Sequence, residues 1–125
     1  MPQLPIRPEQ EILVRSRMKR QTIRRVRRKN PIKPGDILKF AVRRDRRTVD
    51  TFMVATCTEV VPVRMGIPKR KVYVEIDGKE ASPMERLELA QSEGFAGTRD
   101  MIDHFKKRFM MPGAKRLWQG VIIRW

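Results

Sequence analysis

The sequence predicts a small α+β domain: a mostly antiparallel β-barrel with about three short helices flanking it. Three observations lead there. Alternating runs rich in β-branched residues recur from residue 20 to the closing stretch at 117–124, turn chemistry separates them, and helix-start signals occur at only three places. A chain of 125 residues has room for one core of ordinary size. Residues 1–8 are therefore expected to be a proline-rich lead-in, and 9–125 a single domain.

The first helix is expected over about 9–18. Pro8 precedes Glu9 and Glu11, whose charges complement a helix N-terminus, and Ile12, Leu13 and Val14 give it an apolar face. Gln21 to Val26 then alternates as a strand does, placed here at 20–26, and Asn30-Pro31 and Lys33-Pro34-Gly35-Asp36 are turns. Strands follow at 37–43 and at 51–63, where Pro62 implies a bulge or an edge. Residues 71–76 read as a strand closing on Asp77-Gly78, the strongest turn signal in the chain. Ser82-Pro83-Met84-Glu85 is a capping box with proline at the first helical position, and it directs Met84, Leu87 and Leu89 inward. A further helix begins near Thr98 and sets Met101, Ile102, Phe105 and Phe109 on one face until Met110-Met111-Pro112-Gly113 stops it. The final run, 117–124, is apolar enough to pair in the middle of a sheet.

Lys and Arg number 29 against 14 Asp and Glu, a formal net charge of +15. That excess is polarised: residues 1–47 hold 16 cations and 4 acids, residues 48–125 hold 13 and 10. Between Arg15 and Lys29 there are nine cations and no acid. Arg predominates, and its planar fork suits phosphate, so the segment reads as a nucleic-acid surface contributed by Arg17, Lys19, Arg20, Arg24, Arg25, Arg27, Arg28 and Lys29. Arg43 and Arg44, which open a second cluster with Arg46 and Arg47, are read as part of the same nucleic-acid surface.

Chemistry elsewhere is sparse. One cysteine, Cys57, excludes an internal disulfide, and with one histidine, His104, the chain lacks the soft ligands of a zinc site. No metal and no cofactor is expected. Cys57 reads as a core residue, His104 as a structural one, and Phe105, Phe109, Trp118 and Trp125 as packing, with Trp118 also placed to stack on a base. The absence of a leader-like or membrane-spanning apolar run points to a cytoplasmic protein with no membrane partner. There is no phosphate-binding glycine loop and no nucleophile elbow. What remains is a hydroxyl, Thr22, flanked by Lys19, Arg20 and Arg24. Nearby cations and partial desolvation favour the neutral form of an amine, which can then take a proton from a hydroxyl.

Lys19-Arg20-Gln21-Thr22-Ile23-Arg24, followed by Ile32-Lys33-Pro34-Gly35-Asp36-Ile37-Leu38, resembles the ASCH domain family, a PUA-like β-barrel. The family signature is Gly-x-Lys-x-x-Thr-x-Arg and then a Gly-Asp turn into a strand. Ala90-Gln91-Ser92-Glu93-Gly94-Phe95 ahead of a helix is similar to the family's downstream segment, and 117–125 to its closing strand, so the likeness covers about 9–125. Basic versions are carried by phage and bacterial genomes. Here Arg17 stands where the signature has glycine.

The resemblance implies two functions for one cleft. As an RNA-binding module, the cations would position phosphates while Thr22 and Glu93 face a base, with RNA favoured over DNA. As a hydrolase of the N4-acetylcytidine amidohydrolase or ribonuclease type, Thr22 would be the nucleophile, Lys19 its base and Glu93 the acid/base. Outside the family pattern a carboxylate at position 93 would simply pair with an arginine. A third possibility, an acidic protein partner, rests on charge alone.

Overall fold

The computed structural model describes residues 2–108 and 117–125. In chain order its elements are β1 (Gln3–Ile6), α1 (Glu11–Arg15), β2 (Gln21–Arg24), β3 (Ile37–Arg43), β4 (Val49–Thr56), β5 (Glu59–Gly66), β6 (Tyr73–Ile76), β7 (Lys79–Glu80), α2 (Pro83–Ser92), α3 (Thr98–Arg108) and β8 (Trp118–Arg124). Short 3-10 turns occupy Pro8–Gln10 and Pro68–Arg70. The α+β class holds, and β3–β4, β5–β6 and β6–β7 are antiparallel while β1–β3 is parallel. The strands form two sheets, one of order β1-β3-β4 and one of order β2-β8-β5-β6-β7.

The chain divides into two compact units, 1–22 with 27–60 and 123–125, and 23–26 with 61–122. In the first, the proline-rich lead-in supplies a strand. Leu4 and Ile6 are buried and Pro5 between them is exposed, the alternation a one-sided strand requires. Pro5 has no N–H to donate, and β1 lies at the end of its sheet, where that loss costs no ladder bond. Leu38, Phe40 and Val42 of β3 are fully buried, and Phe40 meets Trp125 with ring centroids 4.7 Å apart.

The helix expected over 9–18 is shorter, because Arg17 adopts a left-handed φ of 64° that ends it. The long strand expected over 51–63 is two strands. The break falls at Cys57, whose N–H donates to Asp36 O (2.8 Å) and whose carbonyl accepts from Gly35 N (2.8 Å), while Thr58 N–H donates to Arg124 O (2.9 Å). Cys57 is buried as expected, and burial raises its thiol pKa.

The second unit holds one apolar cluster, in which Ile23, Val63, Met65, Val74, Met101, Ile102, Phe105, Trp118 and Ile122 pack together. Pro62 lies within β5, which has strand neighbours on both sides, and so does not mark an edge of the sheet; its carbonyl accepts from Asp77 N at 2.9 Å. Asp77 and Gly78, at φ 53° and 79°, make the two-residue hairpin expected of them, with Ile76 opposite Lys79. The strand before them begins at Tyr73, after left-handed Lys69 and Arg70.

α2 starts at the predicted capping box: Glu85 N–H donates to Ser82 Oγ (3.2 Å) and Ser82 N–H to Glu85 Oε1 (3.1 Å). The Ser82 backbone N–H, and after it the Ser82 hydroxyl, hold the Glu85 carboxyl below its ordinary pKa. Leu89 is buried and Leu87 half-buried as expected, but Met84, in the first turn, is 64% exposed rather than turned inward. Trp118 is buried and stacks on Phe105 at 4.5 Å, so its ring is a packing group rather than a platform for a base. Phe109 and the stop at 110–113 lie outside the described residues.

Candidate functional site

Three polar or charged residues are buried among the described ones: Lys19 (7% exposed), Thr22 (4%) and Glu93 (7%). These are the three to which the resemblance gives catalytic roles. Burying such groups costs several kcal/mol unless hydrogen bonds or charges compensate, and all three have interaction partners.

Local structure explains each position. α1 ends at Ser16; left-handed Arg17 donates its N–H to Val14 O (3.1 Å), and Lys19 N–H closes back on Leu13 O (2.9 Å). This turn fixes the backbone of Lys19 directly after the helix. Position 17, where the signature has glycine, thus has the backbone conformation glycine adopts without steric penalty. Thr22 follows on β2, whose first and last residues are half-buried and whose two central ones, Thr22 and Ile23, are buried.

Glu93 terminates α2, and Gly94 at φ 88° turns the chain away. A side chain would be strained at that φ. β2 ends the five-strand order, so an amide on its outer side has no strand to pair with. The carboxylate Oε1 of Glu93 accepts the N–H of Ile23, the residue that follows Thr22. On the other side β8 comes close at Gly120, where a Cβ would collide with the Trp118 indole and with the carbonyl oxygen of Arg24.

The cations fall into two groups. Arg17, Arg20, Arg28 and Lys29 are exposed, and no carboxylate pairs with them among the described residues. Arg24 is half-buried and Arg25 exposed, both with partners; Arg27 donates to Gln3 O at 2.7 Å, which ties it to β1.

The second cluster is bound up in the protein. Arg44 donates to Glu11 Oε1 (2.7 Å) and Oε2 (3.2 Å) and to Asp50 Oδ2 (2.9 Å), so its whole fork is committed to carboxylates. Arg44 is therefore an ion-pairing residue in this structure, not an unoccupied phosphate ligand. Its hydrogen bond and that of Arg15 hold the Glu11 carboxyl below the ordinary range, and the bonds to Glu11 and then to Asp50 raise Arg44. Arg43 donates to Arg46 O (3.1 Å), and Asp45 accepts from the amides of Arg47 (2.8 Å) and Thr48 (2.9 Å), which lowers its pKa. The counter-ion role of Glu11 was half legible: its spacing of four from Arg15 is a helical pair, but the link to Arg44, 33 residues away, has no sequence signal.

One donor is left over. The indole Nε1–H of Trp125 is buried with no acceptor among the described residues, while the backbone N–H of Trp125 donates to Arg20 O at 3.1 Å. A buried donor without an acceptor costs about 1–3 kcal/mol. His104 is exposed and in ring contact with Phe95 and Phe105, a structural setting. Among the described residues no group of three or more potential metal ligands occurs, and no helix is long and apolar enough to cross a membrane.

No family model, no curated protein and no solved structure matches the chain.

Proposed function

We propose that the protein is an RNA-binding module of the ASCH type, with a PUA-like barrel as its fold, and that the segment around β2 is its ligand-facing part. The observation that carries this reading is the exposure of Arg17, Arg20, Arg28 and Lys29 without carboxylate partners, within a stretch that contains no acid. Like charges concentrated in one stretch of chain repel one another, and a polyanion relieves that repulsion while releasing its counterions. The left-handed turn at Arg17 supports the ASCH part, since it meets the need that a signature glycine serves.

The test is a salt titration of affinity for a single-stranded RNA. If about five phosphates are neutralised, log affinity falls against log salt with a slope of about −3.5. Replacing Arg17, Arg20, Arg28 and Lys29 together by alanine removes about 2.8 from that slope, while Arg44→Ala leaves it unchanged and lowers the unfolding temperature. An affinity indifferent to salt refutes the reading.

A second reading, hydrolysis of an N4-acetylcytidine amide or of RNA, is favoured by the burial of Lys19, Thr22 and Glu93, since groups of these types are rarely buried without a purpose. For the amide, Thr22 would attack the carbonyl while Lys19 takes its proton, Glu93 would protonate the amine as the C–N bond breaks, and water would then hydrolyse the acetyl-threonine ester to release acetate. Thr22→Ala and Lys19→Ala abolish turnover under this reading. Glu93→Gln does so too while keeping an oxygen for the Ile23 amide, whereas Glu93→Ala also destabilises the fold by about 1–3 kcal/mol. A protein that binds RNA tightly and releases neither cytidine nor RNA fragments eliminates the hydrolase.

A further inference from the structure

The second unit carries a cavity of about 670 Å³ that shares no residue with the segment discussed above. That volume lies in the range of small-molecule sites. Three cations line it: Lys69 from the 3-10 turn, Lys71 just after it, and Arg86 from the first turns of α2. None has a carboxylate partner among the described residues. Tyr73 and Val72 supply apolar wall, and Glu80 of β7 adds one carboxylate.

The orientation of the tyrosine is fixed. Its hydroxyl donates to Glu75 Oε2 at 2.7 Å, and Glu75 in turn pairs with Arg64 at 3.6 Å. Glu75 is thereby occupied on its own strand, which leaves the lining with an excess of positive charge. The turn that presents Lys69 holds two successive non-glycine residues, Lys69 and Arg70, at φ 52° and 64°. Such conformations persist only where the surroundings impose them, and they concentrate at ligand sites.

A bare anion would gain from the three cations but would be repelled by Glu80 and would make no use of the aromatic wall. A phosphorylated nucleoside uses all of them: phosphate on Lys69, Lys71 and Arg86, base against the Tyr73 ring, and ribose hydroxyls donating to Glu80. We propose that this pocket binds a nucleoside monophosphate, either free or as the 5′-phosphorylated end of an RNA chain.

Calorimetry on the full chain with 5′-AMP, adenosine and inorganic phosphate as separate probes tests the assignment. The expected result is that 5′-AMP binds at least about tenfold more tightly than either fragment. Lys71→Ala weakens it by about tenfold at an unchanged unfolding temperature, Tyr73→Ala weakens it as much in protein that remains folded below a lowered unfolding temperature, and Tyr73→Phe keeps it, because the hydroxyl serves Glu75. A joint Arg20→Ala, Arg28→Ala variant binds 5′-AMP normally, so this site stands or falls apart from the proposed RNA surface. The same calorimetry with 5′-phosphorylated and 5′-hydroxyl oligoadenylate separates the sources. A preference for the phosphorylated chain that is lost in Lys71→Ala identifies an RNA end, and 5′-AMP binding without it a free nucleotide. Affinity for 5′-AMP no better than for phosphate, or unaffected by both Tyr73→Ala and Lys71→Ala, overturns the proposal.

Discussion

At the scale of single residues, Arg17 shows how one position can serve two ends at some expense to each. Its left-handed φ of 64° closes α1 and sets the backbone of Lys19, while its exposed guanidinium belongs to the uncompensated basic segment. A residue with a Cβ is disfavoured in that conformation by about 1–2 kcal/mol. Arg17→Gly is therefore expected to stabilise the fold by up to about 1 kcal/mol, since the gain is partly offset by the greater freedom of glycine in the unfolded chain. The same change lowers affinity for RNA and makes its salt slope shallower by about 0.7. Paired denaturant melts and salt titrations read both effects, and a loss of stability on introducing glycine would show that the arginine side chain holds the turn by contacts of its own.

It was the family resemblance that brought out Lys19, Thr22 and Glu93 together, and all three are buried, although nothing in composition demands it. What the sequence could not disclose is the partner of Glu93. The bond to the amide of Ile23 spans 70 residues and arises because β2 ends its sheet, a property of topology rather than of any local pattern. Arg44 is the converse case. As part of a cationic run it looked available to phosphate, and the carboxylates that occupy it come from α1 and β4.

Among the elements, those set by short-range chemistry were legible. The Ser82–Glu85 capping box and the Asp77-Gly78 hairpin form as their residue types require. β1 was not, because three prolines in eight residues obscure the alternation of Leu4 and Ile6, and only a place at the sheet end makes Pro5 acceptable. β4 and β5 ran together in the sequence because both are rich in valine; their boundary at Cys57 is set by hydrogen bonds to the distant Gly35–Asp36 turn. β8 comes close to β2 at Gly120. Gly120→Ala places a methyl group against the Trp118 ring and the Arg24 carbonyl, and overpacking of this kind costs about 1–3 kcal/mol. Equilibrium unfolding of this variant measures that cost, and wild-type stability would mean that β8 can move away from its neighbours freely.

For the molecule as a whole, the acids are few and several are held ionised by the fold. Glu11, Asp45 and Glu85 all have lowered pKa values, caused by Arg44 and Arg15, by the amides of Arg47 and Thr48, and by Ser82 respectively. A carboxyl with a depressed folded-state pKa contributes stability above its unfolded value and loses it as pH falls through the folded one, because the unfolded chain then binds more protons. Thermal unfolding is accordingly expected to be flat from pH 7 to about 5 and to weaken below about pH 4.5, the ordinary value of the two glutamates. Glu11→Gln combined with Glu85→Gln shallows the acid limb. A limb of the same depth in that variant would assign acid sensitivity to the repulsion among the cations instead.

The strand order of the larger sheet also dictates a sequence of events in time. β2 lies beside β8, which is made about 90 residues later in the chain. At translation rates of roughly 5–20 residues per second, β2 spends roughly 5 to 20 s on the nascent chain before its strand partner exists. The Asp77-Gly78 hairpin and α2 need no such delay, because their contacts are local. During biosynthesis the arginine-rich stretch thus emerges from the ribosome, itself a dense array of RNA phosphates, well before the sheet that will hold it can close.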